Sequence, residues 1–223
     1  QEAIGYACEK SPYYRNLFAS FSFTPENFKT YGDFRRIPLT TKKDLSSDGA
    51  LFSVGEIRPA EWVTTSGTSF QPIRIPFTDS DLKRLERNEE LSLSAAGVTP
   101  KDTVLLAVAM DRLFIAGMAY YLGARKIGAT VLRCGAQSVD MVIHSLWSFK
   151  PTVIIGVPSF LIKVAREAQA RGMELSSLGI RTLIAIGEPV GREDYSRNFS
   201  GETLENLWRA PVLSTYASTE MAT

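Results

Sequence analysis

The sequence predicts an α/β protein in which a mostly parallel β-sheet carries helices on both faces. Three observations support this prediction. From Val104 onward, short apolar runs alternate with longer segments that have helical periodicity. The apolar runs start about every 25 to 30 residues, which is the length of one strand and its crossover helix. Residues 104–109 contain no polar side chain, as expected of a strand buried on both faces.

Five strands and four helices follow from this alternation, in chain order. The strands are predicted at residues 104–109, 130–132, 152–157, 182–186 and 212–215. The helices are predicted at residues 114–127 and 139–149, from Ser159 as N-cap to near Gly172, and at residues 193–208. Because ligands bind beyond the carboxyl ends of parallel strands, we expect the turns after the last three strands to converge on one rim. These turns are Gly156-Val157-Pro158-Ser159, Gly187-Glu188-Pro189 and Tyr216-Ala217-Ser218-Thr219-Glu220.

The beginning of the chain is predicted to be organised differently. We expect a helical and loop segment over residues 1–60, followed by the α/β region over residues 61–223. A helix is predicted at residues 4–10, and residues 34–45 are predicted to form a loop in which Thr41 caps a short helix. A longer helix is predicted at residues 79–94, with an apolar side formed by Leu82, Leu85 and Leu91.

Composition excludes several classes of protein. The 223 residues are 44% hydrophobic, which allows a substantial core. Lys and Arg total 25 against 24 Asp and Glu, so no general basic surface favours nucleic acid or a membrane as a partner. Cys8 and Cys134 lack the spacing of a zinc site or disulfide scaffold. The longest apolar runs are too short to span a bilayer, so we expect a cytoplasmic protein.

Residues 64–72 read Thr-Thr-Ser-Gly-Thr-Ser-Phe-Gln-Pro, a hydroxyl-rich turn around a single glycine. Hydroxyls donate hydrogen bonds, glycine lets the backbone approach a ligand, and successive amides can form an anion-binding concavity. The same residue types are also typical of an ordinary hairpin loop. The turn alone therefore leaves open a phosphate-binding loop and a plain connection.

Six further short motifs accompany this turn in a fixed order along the chain. The seven motifs are Ser11-Pro12-Tyr13-Tyr14-Arg15, residues 37–45, residues 65–72, residues 123–131, residues 151–159, Gly187-Glu188-Pro189 and residues 216–220. In this order they resemble the motifs of the adenylate-forming enzymes, and specifically the phenylacetate-CoA ligase-like branch. One such match occurs easily by chance, whereas seven in order do not. The resemblance extends along the whole chain.

The resemblance implies the N-terminal part of the adenylate-forming fold, with the C-terminal domain absent from this chain. It implies an AMP-forming acid–thiol ligase that uses ATP, magnesium and coenzyme A. In such an enzyme a carboxylate attacks the α-phosphorus of ATP, and a thiol then captures the acyl group of the acyl-adenylate. Hydroxyls, amides and a metal-binding carboxylate suit this chemistry, because it depends on positioning and charge neutralisation.

The resemblance also implies roles for individual residues. The β- and γ-phosphates would be held by Thr65, Ser66, Gly67, Thr68 and Ser69. Glu220 would coordinate magnesium and Thr219 would contact the α-phosphate. The adenine pocket would be lined by Gly187, Glu188 and Pro189, with Tyr216 stacked on the base. The acid would lie among Phe114, Gly117, Val157, Pro158 and Ala217. These candidates are mostly apolar, which suits an aryl or medium acyl carboxylate.

Two departures from the family pattern keep other functions open. Phe70 and Gln71 stand where the family has a second loop glycine and a lysine. The family's ribose-binding aspartate and late catalytic lysine would follow Thr223, so we do not expect this portion alone to complete the reaction efficiently.

One alternative is an acyl-protein synthetase or aryl-adenylating enzyme that uses a carrier thiol. Another is a non-catalytic binding module with a degenerate phosphate loop. A homodimer is also among the expected assemblies.

Overall fold

The computed structural model describes residues 2–47, 49–55, 58–65 and 72–219. It contains two compact units, Gln1–Asp79 and Ser80–Thr223. Within the described residues, no helix is long and apolar enough to cross a membrane.

Among the described residues, the first unit contains four α-helices, two short 3-10 helices (Pro25–Asn27 and Gly49–Phe52) and a β-hairpin. The α-helices are α1 (Glu2–Lys10), α2 (Pro12–Ser20), α3 (Tyr31–Phe34) and α4 (Lys42–Ser47). Strands β1 (Glu61–Thr64) and β2 (Arg74–Phe77) pair antiparallel. Aromatic rings contact one another in this unit, and Tyr13 is stacked on Phe52 at a centroid distance of 3.9 Å.

Short polar residues fix the ends of these helices. Ser11 is the N-cap of α2, and its hydroxyl also donates to the Leu51 carbonyl at 3.2 Å. The predicted cap at Thr41 is confirmed, because its N–H and hydroxyl donate to the Asp44 carboxylate at 2.8 and 2.7 Å. The Asp44 N–H donates back to the Thr41 hydroxyl at 3.3 Å, which completes a capping box at the start of α4.

The second unit alternates strands and helices as predicted. Its elements are α5 (Asp79–Ala95), β3 (Thr103–Ala107), α6 (Ile115–Ile127), β4 (Thr130–Arg133), α7 (Val139–Phe149), β5 (Val153–Gly156), α8 (Pro158–Ala170), β6 (Thr182–Ala185), α9 (Phe199–Trp208) and β7 (Val212–Ser214). The five strands form one sheet in the order β4-β3-β5-β6-β7, and each neighbouring pair is parallel. The predicted fold class is confirmed.

The sheet has a separate core on each face. Successive side chains of a strand point to opposite faces. Leu105 of β3 accordingly packs in a cluster with residues of α7, α8 and α9, such as Leu146, Leu161 and Trp208. Its neighbour Leu106 packs in a second cluster that contains Tyr120 of α6 and Leu93 of α5. Because both faces are covered, the central strands β3, β5 and β6 are almost entirely apolar and buried.

A buried carboxylate ties together the amino ends of the strands. Asp102, just before β3, accepts hydrogen bonds from the Thr99 N–H and the Thr152 hydroxyl, each at 2.7 Å, and from Arg181 at 2.9 Å. Burial alone would raise the pKa of Asp102, but bonds from Thr152, Arg181 and Thr99 outweigh it and hold this pKa at about 2.

Three local predictions were wrong. Helix α8 begins at Pro158 with Val157 as N-cap, so Ser159 is not the cap. Helix α9 begins after the Asn198 cap, and the residues before it form a β-bridge between Gly191 and Arg197. Leu91 is 52% exposed, and the buried positions of α5 are Leu85, Glu89 and Leu93.

Candidate functional site

The candidate site lies at the carboxyl edge of the parallel sheet in the second unit. Numbered along the chain, the strands of this sheet lie in the order 2-1-3-4-5. The chain leaves β3 towards one side to form β4 and then crosses to the other side to form β5. A crevice for ligands opens at the carboxyl ends of two such strands. The topology therefore points to the segments that follow β3 and β5.

Helix α6 approaches the segment after β3 very closely at Gly117. A Cβ atom at this position would overlap the Ala109 carbonyl oxygen and lie 2.9 Å from Met110 Cγ. Only glycine lets the helix backbone pack there without a shift. Phe114, at the N-cap of α6, is half-buried beside this approach. The structure therefore places two of the five predicted acid-pocket residues, Phe114 and Gly117, at the start of α6.

The turns after β5 and β6 are held together by hydrogen bonds. The Ser159 hydroxyl donates to Glu188 Oε1 at 2.7 Å, and the Ser159 N–H donates to Glu188 Oε2 at 2.9 Å. Gly187 has φ +74°, and a Cβ atom there would lie 3.8 Å from Val157 Cγ2. Four predicted residues, Val157, Pro158, Gly187 and Glu188, thus belong to adjacent turns.

The segment after β7 continues along the same edge. The Thr215 N–H donates to the Ala185 carbonyl at 3.2 Å, which ties the segment to the end of β6. Tyr216 is 87% exposed, so its ring is open to a stacking partner, and Ala217 is also exposed. The predicted convergence of the turns is supported at Ser159–Glu188 and at Thr215–Ala185. Thr219 is half-buried.

The predicted phosphate loop is described only at its borders. Thr65 is buried, its hydroxyl accepts the Ile73 N–H at 3.1 Å, and its own N–H donates to the Ile73 carbonyl at 3.1 Å. Thr65 therefore closes the β1–β2 hairpin. The predicted phosphate ligands Ser66, Gly67, Thr68 and Ser69, together with Phe70, Gln71 and the metal ligand Glu220, lie outside the described residues.

Two buried ionisable groups lie between α5 and α6. Burial raises the pKa of Glu89 to about 6. Burial, together with the charge of Glu89, raises the pKa of Tyr120 to about 12, although an interaction with Thr215 opposes this rise. Both groups belong to helices that cover the sheet.

Among the described residues, no group of three or more His, Cys, Asp or Glu side chains could hold a metal ion. This part of the chain therefore builds no metal cage from protein ligands alone.

Ser159 is the residue of this edge that sequence reasoning missed. The sequence suggested Ser159 as a helix cap, whereas its hydroxyl binds a carboxylate 29 residues later. The only signal in the sequence is that an apolar valine and a proline precede it, which leaves the start of the helix without a side-chain cap of its own.

Comparison with known proteins gives a consistent set of relatives. The chain is 28% identical over 189 residues to the phenylacetate-coenzyme A ligase of Escherichia coli (strain K12), covering 83% of the chain and 43% of that protein. It is 30% identical over 188 residues to the phenylacetate-coenzyme A ligase of Thermus thermophilus, covering 83% and 42%. The chain thus spans about two-fifths of these relatives. No family model matches the chain.

Solved structures show the same fold. A 2-hydroxyisobutyryl-CoA ligase in an open conformation, in complex with 2-HIB-AMP and CoA, superposes with a TM-score of 0.86 at 23% identity. That match covers 99% of this chain and 52% of the ligase. A benzoate CoA ligase from Burkholderia xenovorans LB400 has a TM-score of 0.55 over 77% of the chain. The shared fold, together with the sequence matches to the phenylacetate-coenzyme A ligases, confirms the resemblance to the adenylate-forming CoA ligases.

Proposed function

We propose that this chain is the nucleotide- and acid-binding portion of an ATP-dependent carboxylate–CoA ligase. The observation that carries the proposal is the carboxyl edge of the sheet, where the turns after β5, β6 and β7 carry the motifs of the adenylate-forming enzymes. The similarity to phenylacetate-coenzyme A ligases over 83% of the chain supports the same function.

The proposed first step joins the acid to AMP. One carboxylate oxygen of the acid attacks the α-phosphorus of ATP, and pyrophosphate leaves with the electrons of the broken P–O bond. In this proposal Tyr216 stacks on adenine, since its ring is exposed at the rim. Backbone groups of Gly187 and Pro189 line the base, because the Glu188 carboxylate is already bonded to Ser159. Thr219 contacts the α-phosphate.

The hydroxyl-rich loop of residues 65–69 keeps its predicted role in binding the β- and γ-phosphates. The hydroxyl of Thr65 is engaged by the Ile73 N–H, so we assign phosphate contacts mainly to Ser66, Gly67, Thr68 and Ser69. Glu220 would hold magnesium, which would neutralise phosphate charge when bound. The roles of these loop residues and of Glu220 stay predictions.

The proposed second step transfers the acyl group to coenzyme A. The thiol sulfur attacks the acyl carbonyl, AMP leaves, and the thiol proton passes to solvent or base. A complex of 2-hydroxyisobutyryl-CoA ligase with 2-HIB-AMP and CoA supports coenzyme A over a carrier-protein thiol as the acceptor. The matched ligases are about twice as long as this chain, so this step is proposed for a protein that includes more than these residues.

The acid is proposed to be an aryl or medium acyl carboxylate. Phe114, Val157 and Ala217 present apolar surface, whereas Pro158, which follows Val157 in sequence, is buried. Such surface suits this substrate better than a small polar acid. Gly117 contributes by letting α6 approach the backbone after β3. The cytoplasmic location, the homodimer and the division into residues 1–60 and 61–223 stay predictions.

Exchange of labelled pyrophosphate into ATP tests the proposed reaction across a panel of carboxylic acids. The assay uses a protein that carries this chain together with the C-terminal domain expected from the resemblance. We expect exchange that depends on aryl or medium acyl acids and that falls in a Glu220→Gln variant. No exchange with any acid, or exchange with small polar acids only, would contradict the proposal. An enzyme that exchanges but acylates only a carrier thiol would instead support the carrier-protein alternative.

A further inference from the structure

Ser159 and Glu188 form a two-point contact, here called the Ser159–Glu188 clamp. The hydroxyl and the backbone N–H of Ser159 both donate to the Glu188 carboxylate, at 2.7 and 2.9 Å. Ser159 lies in the first turn of α8, which follows β5, and Glu188 lies in the turn after β6. The clamp therefore joins two of the three turns at the candidate site.

The start of α8 explains why the clamp forms. Val157 is the N-cap and has no side-chain oxygen, and Pro158 at the first helical position has no N–H. The first unpaired donor of the helix is therefore the Ser159 N–H, which an N-cap side chain would normally satisfy. The Glu188 carboxylate, in the turn after β6, accepts this N–H instead of an N-cap side chain. Its negative charge is also favourable near the positive end of the helix dipole.

The clamp is one of several bonds that hold the turn after β6. The Ile186 N–H donates to the Gly156 carbonyl at 3.1 Å, and the Asn198 side chain donates to the Pro189 carbonyl at 2.8 Å. Between these bonds, Gly187 adopts a left-handed conformation beside Val157. Without the clamp, the middle of the turn would keep only the restraints at its two ends.

We infer that Ser159 is a positioning residue for the proposed nucleotide site. It acts through Glu188, which fixes the turn that would line the base. The same bond fixes the start of α8, where the half-buried Val157 would face the acid. The inference rests on the proposed function and deepens it, because it names a residue outside the ligand contacts that sets their geometry.

A comparison of three variants by calorimetric titration with ATP and magnesium tests the inference. Ser159→Ala removes the hydroxyl bond to Glu188, whereas Ser159→Thr keeps it. Ser176→Ala is the matched control, because the Ser176 hydroxyl donates to Glu174 Oε1 at 2.6 Å in a short helical turn before β6, away from the rim. Hydrogen exchange of the Gly187 and Glu188 amides is measured in the same proteins without nucleotide.

We expect Ser159→Ala to weaken ATP binding about three- to tenfold, since it removes one hydrogen bond to a charged group. Exchange at Gly187 and Glu188 is expected to become faster. Ser159→Thr should bind like the parent, and Ser176→Ala should leave ATP affinity unchanged.

The outcomes separate the inference from the proposed function. If Ser159→Ala binds ATP as tightly as the parent does, the positioning role of Ser159 is wrong, while the proposed nucleotide site stands. An equal loss in Ser176→Ala would also overturn the positioning role, because a merely structural role would then explain the effect. A folded parent that binds no ATP would overturn the proposed nucleotide site, and the positioning role would fall with it. Hydrogen exchange gives a separate test that does not need ATP binding. If the exchange rate of the Gly187 amide is the same in Ser159→Ala as in the parent, the clamp does not hold this turn in place.

Discussion

Glu89 is a carboxyl group buried between two helices, with one oxygen that has no hydrogen-bond partner among the described residues. Glu89 is 6% exposed. It packs against Gly123 of α6, where a Cβ atom would collide with the Glu89 side chain. Burial disfavours the charged form, so the pKa of Glu89 is raised from 4.5 to about 6. The folded protein therefore holds a proton more tightly than the unfolded chain.

This shift predicts how stability depends on pH. The protonated Glu89 side chain stabilises the folded state relative to the ionised one. This stabilisation is fully present below about pH 4.5 and is lost as the pH rises through about 6. The loss amounts to roughly 2 kcal/mol. We expect Glu89→Gln to match the parent near pH 4 and to be more stable by about that amount near pH 8.

Chemical denaturation of both proteins across this pH range measures the difference. Glu86→Gln is the control on the same helix, because Glu86 forms a partly exposed ion pair with Lys126 at 3.3 Å. A stability difference between Glu89→Gln and the parent that does not change with pH would refute the prediction.

The same residue shows why the buried side of α5 was predicted incorrectly. The sequence predicted an apolar side formed by Leu82, Leu85 and Leu91, and Leu91 is 52% exposed. The helix instead buries Leu85, Glu89 and Leu93, which lie four residues apart on one stripe. No pattern within the helix reveals a buried carboxyl, because its burial depends on the glycine of a neighbouring helix.

At the scale of elements, Asp102 links segments that are far apart in sequence. Its carboxylate accepts hydrogen bonds from Thr152, just before β5, and from Arg181, just before β6. Asp102→Asn keeps the shape but removes the charge and one acceptor position. We expect a loss of about 2 kcal/mol in the free energy of unfolding, in the range for hydrogen bonds to charged groups.

The pH dependence of this effect has a defined sign. The pKa of Asp102 is lowered from 3.8 to about 2, so its contribution is present above about pH 4 and is lost as the pH falls towards 2. The gap between parent and Asp102→Asn should shrink over that range in denaturation experiments. Asp111 accepts a bond from Gln137 at 3.0 Å on an exposed loop, so Asp111→Asn should lower the free energy of unfolding by less than Asp102→Asn does. Equal effects of the two substitutions would count against this account.

The existence and order of the elements could be predicted from the sequence, but several of their ends could not. Strands β3, β5 and β6 are buried on both faces, so their apolar runs are distinct, and only their ends moved by one or two residues. The start of α9 was predicted too early, because the bridge between Gly191 and Arg197 removes the preceding residues from the helix. Such a bridge depends on tertiary contacts rather than on local propensity.

At the scale of the whole molecule, the order of seven short motifs was the most informative feature of the sequence. It predicted a fold that the structure and the solved CoA ligases confirm. Spacing along the chain did not reveal the Ser159–Glu188 clamp, because its partners are 29 residues apart and either could have faced solvent. The phosphate loop and Glu220 lie outside the described residues, so their predicted roles depend on experiment.

The central claim is that the carboxyl edge of the sheet binds the base of a nucleotide. Calorimetric titration with ATP and magnesium tests it most directly, on the parent, on Tyr216→Ala and on Tyr31→Ala. Both tyrosines are largely exposed, at 87% and 76%, but Tyr31 belongs to α3 in the first unit. We expect the parent and Tyr31→Ala to bind equally, and Tyr216→Ala to bind about tenfold more weakly because it loses base stacking. Equal binding by all three proteins, or no binding by a folded parent, would contradict the account.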